Sequence, residues 1–594
     1  MKFPYGIADF YKIISNGYFY CDRTHMIPVI EESGDSLLFI RPRRFGKSLL
    51  LSMLENYYDA ARKEDFDPLF GKLAIGKNPT RLHNQYFILK WDFSCVNPMG
   101  TALDIQKSLH EHINVCIRSF SAAYENLLPE KIQIHPENAI SSLRSLLDAV
   151  RKTSCRVYLL IDEYDNFANE IMMRVQTGKD SYEALVYEEG PLKTLFKAVK
   201  SLTGSFGIDR TFITGVSPVV MSDLTSGYNI AVNIYLEPEF NILCGFTHAE
   251  IQNAVNTLAE HCGFSEADAQ EAANQMRIWY NGYCFAQNAA EAVYNPTLAL
   301  YFFRHFQKSC SYPANMLDAN LSMDQAKLEY ISRIHKGAQM ILDIANHDCI
   351  ILDSLLSDRF GIREMLSDES RDRRFLVSFL YYFGVLTHGG RTETGSLKLN
   401  VPNLVMRGLY VDRIQRMLLP EPDLRDSGIQ SARSLYAEGD IAPLCEFVET
   451  RYFKVLNNRD YRWANELTVK TAFLSLLYND ALYIMDSESA VERGYADLTM
   501  IIRPDMRQYN IFDVLAEFKY VSLKDAGLSG SDARELSPEA LKELPAMKSE
   551  MENARKQVRK YWEILTKKYG NLRLRQYAVV TLGFERVWGE EVLD

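Results

Sequence analysis

The sequence predicts an α/β protein of several domains. At 594 residues the chain is long enough for about three or four domains of roughly 100–200 residues each. Between residues 36 and 236 short apolar segments alternate with longer amphipathic runs, the pattern of repeated βα units around a mostly parallel sheet. A second mixture of strands and helices follows after residue 426. Composition agrees: 47% hydrophobic and 24% charged residues is an ordinary globular balance. With 66 Lys and Arg against 77 Asp and Glu, the net charge of −11 excludes a protein that coats nucleic acid through bulk charge; such contact would need a local basic surface. The ten cysteines are dispersed with no Cys-x-x-Cys pair, and the eleven histidines form no metal-like spacing, so buried thiols in a reducing cytoplasm and no structural zinc are expected. The N-terminus lacks an apolar leader and no segment approaches the roughly 18 apolar residues of a membrane span, so the expectation is a cytoplasmic protein with no membrane partner.

The strands expected in order are 37–40, 86–89, 157–161, 211–214 and 233–236, with helices over 103–120, 139–152 and 190–203. After Phe246 helical periodicity dominates, starting at the capping box Thr247-His248-Ala249-Glu250. Residues 375–401 read as a helix followed by a hairpin, the look of a winged-helix module. Two prolines near Leu419-Pro420-Glu421-Pro422 mark a boundary. Beyond it come helices at 429–456 and 464–478, strands at 494–502 and 511–519, a polar stretch at 522–537, a basic helix at 546–568 and a strand at 575–580. The expected division is 1–240, an α/β domain; 241–335, a helical lid; 336–425, winged-helix-like; and 426–594, a second α/β domain.

The first strand runs into Arg41-Pro42-Arg43-Arg44-Phe45-Gly46-Lys47-Ser48 and then an apolar helix opening with Leu49. Strand, loop, Gly-Lys-Ser and helix are the parts of a phosphate-binding loop: backbone N–H groups cradle phosphates, Lys47 reaches the terminal phosphates and the Ser48 hydroxyl holds Mg²⁺. Arg41 stands where the usual pattern has its first glycine. The strand 157–161 ends in Asp162-Glu163, the partner motif, in which the Asp orients the Mg²⁺ shell and the Glu polarises the attacking water.

These residues resemble a family of bacterial AAA-ATPase-like proteins whose hallmark is the Arg-Pro-Arg-Arg-Phe-Gly-Lys-Ser loop. Tyr20-Cys21-Asp22-Arg23-Thr24, Leu160-Ile161-Asp162-Glu163-Tyr164-Asp165, Thr214-Gly215-Val216-Ser217, Asp223-Leu224-Thr225-Ser226-Gly227-Tyr228-Asn229, Cys244-Gly245-Phe246-Thr247 and Trp279-Tyr280-Asn281-Gly282-Tyr283 are similar to its further blocks, over about residues 1–330. The resemblance implies an ASCE-type P-loop NTPase fold, ATP and Mg²⁺ as cofactors, and assembly of identical subunits as known for AAA-type rings. It gives Thr214 two readings, a sensor near the γ-phosphate or a polar strand end. Arg43 and Arg44 have three: neutralising phosphate, reaching a neighbouring subunit as fingers, or making structural ion pairs.

Near the C-terminus, Gly494-Tyr495-Ala496-Asp497-Leu498 and Leu515-Ala516-Glu517-Phe518-Lys519 lie on two successive strands. Period-two alternation puts Glu517 and Lys519 on one face; with Asp497 opposite, two carboxylates and an ammonium converge. Carboxylates hold Mg²⁺ and its water while a lysine stabilises charge on a phosphorane-like transition state. With Glu466 on the preceding helix and Gln557 and Tyr561 on the basic helix, the region 430–594 resembles the PD-(D/E)xK nuclease superfamily. That implies a restriction-endonuclease-like α/β domain and nucleic acid, DNA or RNA, as partner. Ala496 stands where the superfamily's proline would be. Together the resemblances imply an ATPase controlling a Mg²⁺-dependent nuclease, in defence or mobile-element biology; the alternative is a nucleotide-dependent switch or scaffold whose nuclease-like domain only binds.

Overall fold

A computed structural model describes residues 1–97, 101–166, 191–204, 207–218, 228–317, 322–334, 336–347, 349–356, 372–457, 466–486, 489–491, 494–570 and 572–593. The chain divides into two compact units, Met1–Cys310 with Ile351–Pro402, and Ser311–Ile350 with Asn403–Asp594.

In the first unit β1 (Ser36–Ile40), β2 (Tyr86–Asp92), β3 (Arg156–Asp162), β4 (Ile208–Gly215) and β5 (Val232–Asn233) form one parallel sheet in the order β2-β3-β4-β1-β5. Every residue of β1 is buried, as expected of a central parallel strand covered on both faces. Strand β4 lies between β1 and β3, pairing Ile40 with Gly215 and Ile161 with Ile213. The phosphate loop after β1, the acidic pair after β3 and Thr214 on β4 are thereby brought to one end of the sheet, where α/β folds carry their ligand chemistry. The helices Ala102–Ala123, Ala139–Val150 and Pro191–Ser201 occupy the expected segments; the first starts at a Thr101/Asp104 capping box. β5 is shorter than expected, because the chain leaves the sheet after Asn233 and turns at Pro238 into a short helical turn ending at Phe240.

The helix His248–Cys262 begins at the predicted capping box, and Glu266–Tyr280 and Pro296–Ser309 follow. The cysteine expectation is corrected here. Cys262 ends one helix and Cys310 caps another with their Cα atoms 5.6 Å apart, and the two are joined in a disulfide. Cys95 is exposed, and among the free cysteines of the described residues Cys244 and Cys445 alone are buried. The strand β6 (Cys349–Leu352) and the helix Arg373–Tyr382 precede an antiparallel hairpin of β7 (Thr387–Arg391) and β8 (Leu397–Asn400), the expected helix-then-hairpin order.

In the second unit the helix expected over 429–456 is broken. Pro422–Glu438 ends at Gly439, whose φ of 81° stops it, and Ala442 starts a new run that passes a π-turn at Val448–Tyr452. β9 (Tyr483–Asp486), the hairpin β10 (Ser489–Val491) and β11 (Gly494–Ala496), β12 (Leu498–Ile502), β13 (Asp513–Val521), β14 (Leu574–Leu582) and β15 (Arg586–Glu591) follow. The five-stranded mixed sheet runs β15-β14-β13-β12-β9, parallel only between β13 and β14. The strand expected at 494–502 is thus two strands meeting at Asp497, and β9 and β15 were not foreseen. The helix Pro545–Tyr569 packs Met547, Met551, Ala554, Val558, Tyr561 and Leu565, one face at three- and four-residue spacing, into a core with Leu515, Ala578 and Val580 of the sheet. The polar stretch 522–537 contains the helix Gly530–Glu535, opened by a Ser529/Asp532 capping box.

Candidate functional site

The phosphate loop closes on Gly46, whose φ of 94° is a left-handed conformation that favours glycine, and the helix Lys47–Tyr58 starts from it. Lys47 is buried; its Nζ donates to the carbonyls of Arg41 and Pro42 at 3.0 and 3.1 Å and lies 3.9 Å from Glu163 Oε1. Ser48 Oγ donates to Asp162 Oδ2 at 2.6 Å, and Thr214 Oγ1 donates to Asp162 Oδ1 at 2.5 Å. Glu163 takes a left-handed φ of 51° just past β3, and burial raises the pKa of its carboxyl while the nearby Lys47 opposes that rise. The residues read from sequence as the two halves of a nucleotide site are therefore in one place. Hydroxyl and carboxylate oxygens alone make up the Ser48, Asp162 and Thr214 cluster, a donor set that fits a hard divalent cation such as Mg²⁺.

Arg41 explains the missing first glycine. It is fully buried, donates to the carbonyls of Ile40, Tyr235 and Phe240 at 2.7–2.8 Å, and stacks over the rings of Phe39 and Phe285. Burial pushes its guanidinium down to about 10. The side chain that replaces glycine thus ties the start of the loop to the segment after β5. Phe45 is equally buried, edge-on to Tyr283 and Phe285.

The other sequence blocks pack around this loop. Tyr164 OH donates to the Ser217 carbonyl, and the Asp165 carboxylate accepts from the backbone N–H groups of Val216 and Ser217 and from the Ser217 hydroxyl. Gly215 is required where it stands, because a Cβ there would lie 2.4 Å from the Tyr164 ring. Arg23 donates to the carbonyls of Ile242 and Gly245 and to both carboxylate oxygens of Glu250, joining the upstream block to the one after β5. Within the block 223–229, Asp223 to Gly227 lie outside the described residues. Beside the loop is a cavity of about 340 Å³, lined by Arg44, Lys47, Ser48 and Glu163 on one side and by Ile7, Tyr20, Phe246 and Leu300 among others. Its size suits a nucleotide-scale ligand. Sequence reasoning missed the part played by Pro4, Gly6, Ile7 and Ala8, which no motif marks.

In the second unit Asp497 sits between β11 and β12, and its Oδ2 accepts from the Phe518 N–H at 2.9 Å. Glu517 and Lys519 share one face of β13 as predicted. Lys519 Nζ donates to Glu517 Oε1 at 3.1 Å and Glu466 Oε1 at 3.2 Å and lies 4.0 Å from Asp497 Oδ2. Burial first and the Asp497 charge second push the Glu517 carboxyl up to about 8. Burial also raises Glu466. Burial pulls Lys519 down, but Glu517, Asp497 and Glu466 outweigh it and hold the ammonium above its usual value. Lys470, on the helix Glu466–Leu477 one turn after Glu466, brings a second ammonium 3.9 Å from Asp497 Oδ1 with its side chain 5% exposed. It was missed because a lysine inside an apolar helical run reads as a solvated residue; its i, i+4 spacing from Glu466 was the available signal.

The carboxylates of Asp497 and Glu517 are again oxygen donors, suited to Mg²⁺, while the Phe518 carbonyl accepts from Lys519 Nζ at 3.1 Å. Gln557 leaves Oε1 buried without a hydrogen-bond partner among the described residues, and Tyr561 packs into the core. Several basic residues of that helix are internally paired: Lys548 with Glu543, Arg555 with Glu552 and Glu590.

Residues 4–225 match the family described as "Predicted AAA-ATPase", and residues 464–591 match the PD-(D/E)XK nuclease superfamily. An "uncharacterized protein in vnfD 5' region" of Azotobacter chroococcum mcd 1 is 24% identical over 550 residues, covering 89% of this chain and 90% of that protein. Among solved structures, Cdc6p of Pyrobaculum aerophilum is 13% identical with a TM-score of 0.25, covering 68% of this chain and 98% of that one. The ORC2 protein of Aeropyrum pernix is 11% identical with a TM-score of 0.31, covering 68% and 93%. At those scores the fold rests on the strand order and family matches above. Among the described residues no helix is long and apolar enough to cross a membrane.

Proposed function

We propose that this chain binds and hydrolyses ATP in its first unit and hydrolyses phosphodiester bonds of DNA or RNA in its second, with nucleotide state controlling cutting. The observation that carries the reading is the convergence of Ser48 and Thr214 on Asp162 beside Lys47, Glu163 and the adjoining cavity. On ATP binding, Lys47 exchanges the carbonyls of Arg41 and Pro42 for phosphate oxygens. Ser48 and Asp162 hold the Mg²⁺ shell, Thr214 fixes Asp162, and Glu163 accepts a proton from the attacking water. Bound Mg²⁺ supplies charge neutralisation between the phosphates, and at the second site a Lewis acid and an activated water. There Asp497 and Glu517 hold the metal, Lys519 faces the charge that develops on phosphorus, and Glu466 orients Lys519. Gln557 and Tyr561 position the helix along which the nucleic acid lies. In this reading the first unit carries a P-loop domain with its helical lid and winged-helix-like hairpin, the protein acts in the cytoplasm as a self-assembling subunit, and defence or mobile-element biology suits the pairing.

The ion pairs that Lys519 makes with Glu466 and Glu517 favour a second reading, in which the nuclease-like domain only binds and the protein is a nucleotide-dependent switch or scaffold. The test is cleavage of labelled single- and double-stranded DNA and RNA with Mg²⁺ or Mn²⁺, with and without ATP, comparing wild type with Asp497→Ala and Lys519→Ala. Cutting that both variants abolish supports the nuclease, and its dependence on ATP supports the control. No cutting under any condition, with ATP still hydrolysed, supports the switch.

A further inference from the structure

Three arginines stand near the nucleotide cavity, and their surroundings separate them. Arg23 is occupied: two carbonyls and both oxygens of Glu250 take its donors. Arg43 is tethered to Asn166 Oδ1 at 3.4 Å, and its charge acts on Glu163. Arg44 is different. Its backbone is held left-handed at φ 69°, with its carbonyl accepting from Thr297 Oγ1 at 3.1 Å, and its side chain lines the cavity with Lys47, Ser48 and Glu163. Its Nη1 is buried with no hydrogen-bond partner among the described residues. A buried guanidinium N–H without an acceptor is costly, so the site is built for an acceptor that enters the cavity. Glu163 Oε2, lining the same cavity, is likewise buried and unpartnered. A donor suited to phosphate oxygens and an acceptor suited to a water proton thus bracket one space.

We propose that Arg44 binds the transferred phosphate of the nucleotide and does so within its own chain, so that the hydrolytic site needs no arginine from a neighbouring subunit. The inference rests on the ATP reading above. In the step it serves, the water oxygen attacks the γ-phosphorus, the bond from that phosphorus to the β,γ-bridging oxygen breaks, the water proton passes to Glu163, and ADP and phosphate leave. Arg44 and Lys47 neutralise the charge spread over the γ-phosphate oxygens, Arg44 through its planar fork of donors.

The experiment measures steady-state ATP hydrolysis and, by calorimetry, ATP and ADP affinity for full-length wild type, Arg44→Ala, Arg44→Lys and Lys47→Ala. Arg44→Ala is expected to lower kcat about 10³-fold, with ATP affinity falling more than ADP affinity. Arg44→Lys keeps the charge and loses the fork, so it recovers part of the rate, and it stands in for the alanine variant should that fail to fold. In an equimolar mixture of Arg44→Ala and Lys47→Ala proteins, hydrolysis stays at the sum of the two separate activities. Rescue in the mixture overturns the proposal, because an arginine acting on a neighbour would be supplied by the Lys47→Ala chain. An unchanged kcat in Arg44→Ala overturns the role of Arg44 alone. Wild-type ATP affinity in Lys47→Ala overturns the nucleotide reading itself.

Discussion

Thr214 Oγ1 reaches across from β4 to donate a 2.5 Å hydrogen bond to Asp162 Oδ1, leaving Oδ2 to Ser48. The acid is thereby held at both oxygens by two hydroxyls, one from β4 and one from the first turn of the helix Lys47–Tyr58. Thr214→Val removes one of them while keeping the shape, and leaves Asp162 Oδ1 with the Glu163 N–H, at 3.0 Å, as its remaining donor. We expect ATP hydrolysis to fall about tenfold, a change of about 1.4 kcal/mol, while Thr214→Ser retains most of the rate. Steady-state kinetics checks it.

Restoring the usual glycine at the head of the loop is predicted to be harmful. Arg41→Gly strips the donors from the carbonyls of Tyr235 and Phe240 and empties the space between the rings of Phe39 and Phe285. Denaturant unfolding should show a loss of about 3 kcal/mol or more, with weakened ATP binding at temperatures where the protein remains folded.

Lys470→Met removes the ammonium 3.9 Å from Asp497 Oδ1 that orients this carboxylate, and is expected to lower metal-dependent cleavage about 10–100-fold. Lys470→Arg should recover part of the loss. The measurement is the Mn²⁺ dependence of cleavage, backed by Mn²⁺ calorimetry.

The pH dependence of stability at the second site follows from Glu517. Its folded-state pKa is raised to about 8 from the usual 4.5. Between those values the unfolded chain has released the proton that the folded chain keeps, so stability falls as pH rises across the window and levels off above it. Glu517→Gln removes the titration. Thermal melts in chelator should show the variant gaining on wild type between pH 5 and pH 8, and a constant difference would contradict the linkage.

The Cys262–Cys310 disulfide spans a sequence separation of 48 residues. Closing a loop of that length is worth about 4 kcal/mol in the chain-entropy description. Cys262→Ser, or wild type in a thiol reductant, should melt at lower temperature, and a free-thiol count should drop by two between reduced and oxidised protein.

Much of the site was legible in the sequence because its parts are short motifs at strand ends: Gly46-Lys47-Ser48 after β1, Asp162-Glu163 after β3, Thr214 on β4, and Asp497, Glu517 and Lys519 around one strand pair. The first-unit strands were legible because buried parallel strands are continuous apolar runs. What failed to show depends on contacts distant in sequence. Arg41 looks like a departure until the carbonyl of Phe240 is found beside it, and the Cys262–Cys310 pair is invisible until two helix ends meet. The break in the expected helix over 429–456 hung on a single residue, Gly439, which a helical pattern tolerates on paper and its left-handed φ does not. β9 and β15 are short edge strands of a mixed sheet, with weak alternation to announce them.

The backbone crosses between the two compact units three times, after Cys310, after Ile350 and after Pro402. Arg503 of the second unit donates to the carbonyls of Pro313 and Ala314, so the excursion from the first crossing belongs physically to the later sequence. A stop codon, a protease nick or a recombination breakpoint at any single position from 311 to 402 therefore leaves at least one unit without a strip of its own chain. The two units therefore cannot be separated by a single cut as beads on a string can.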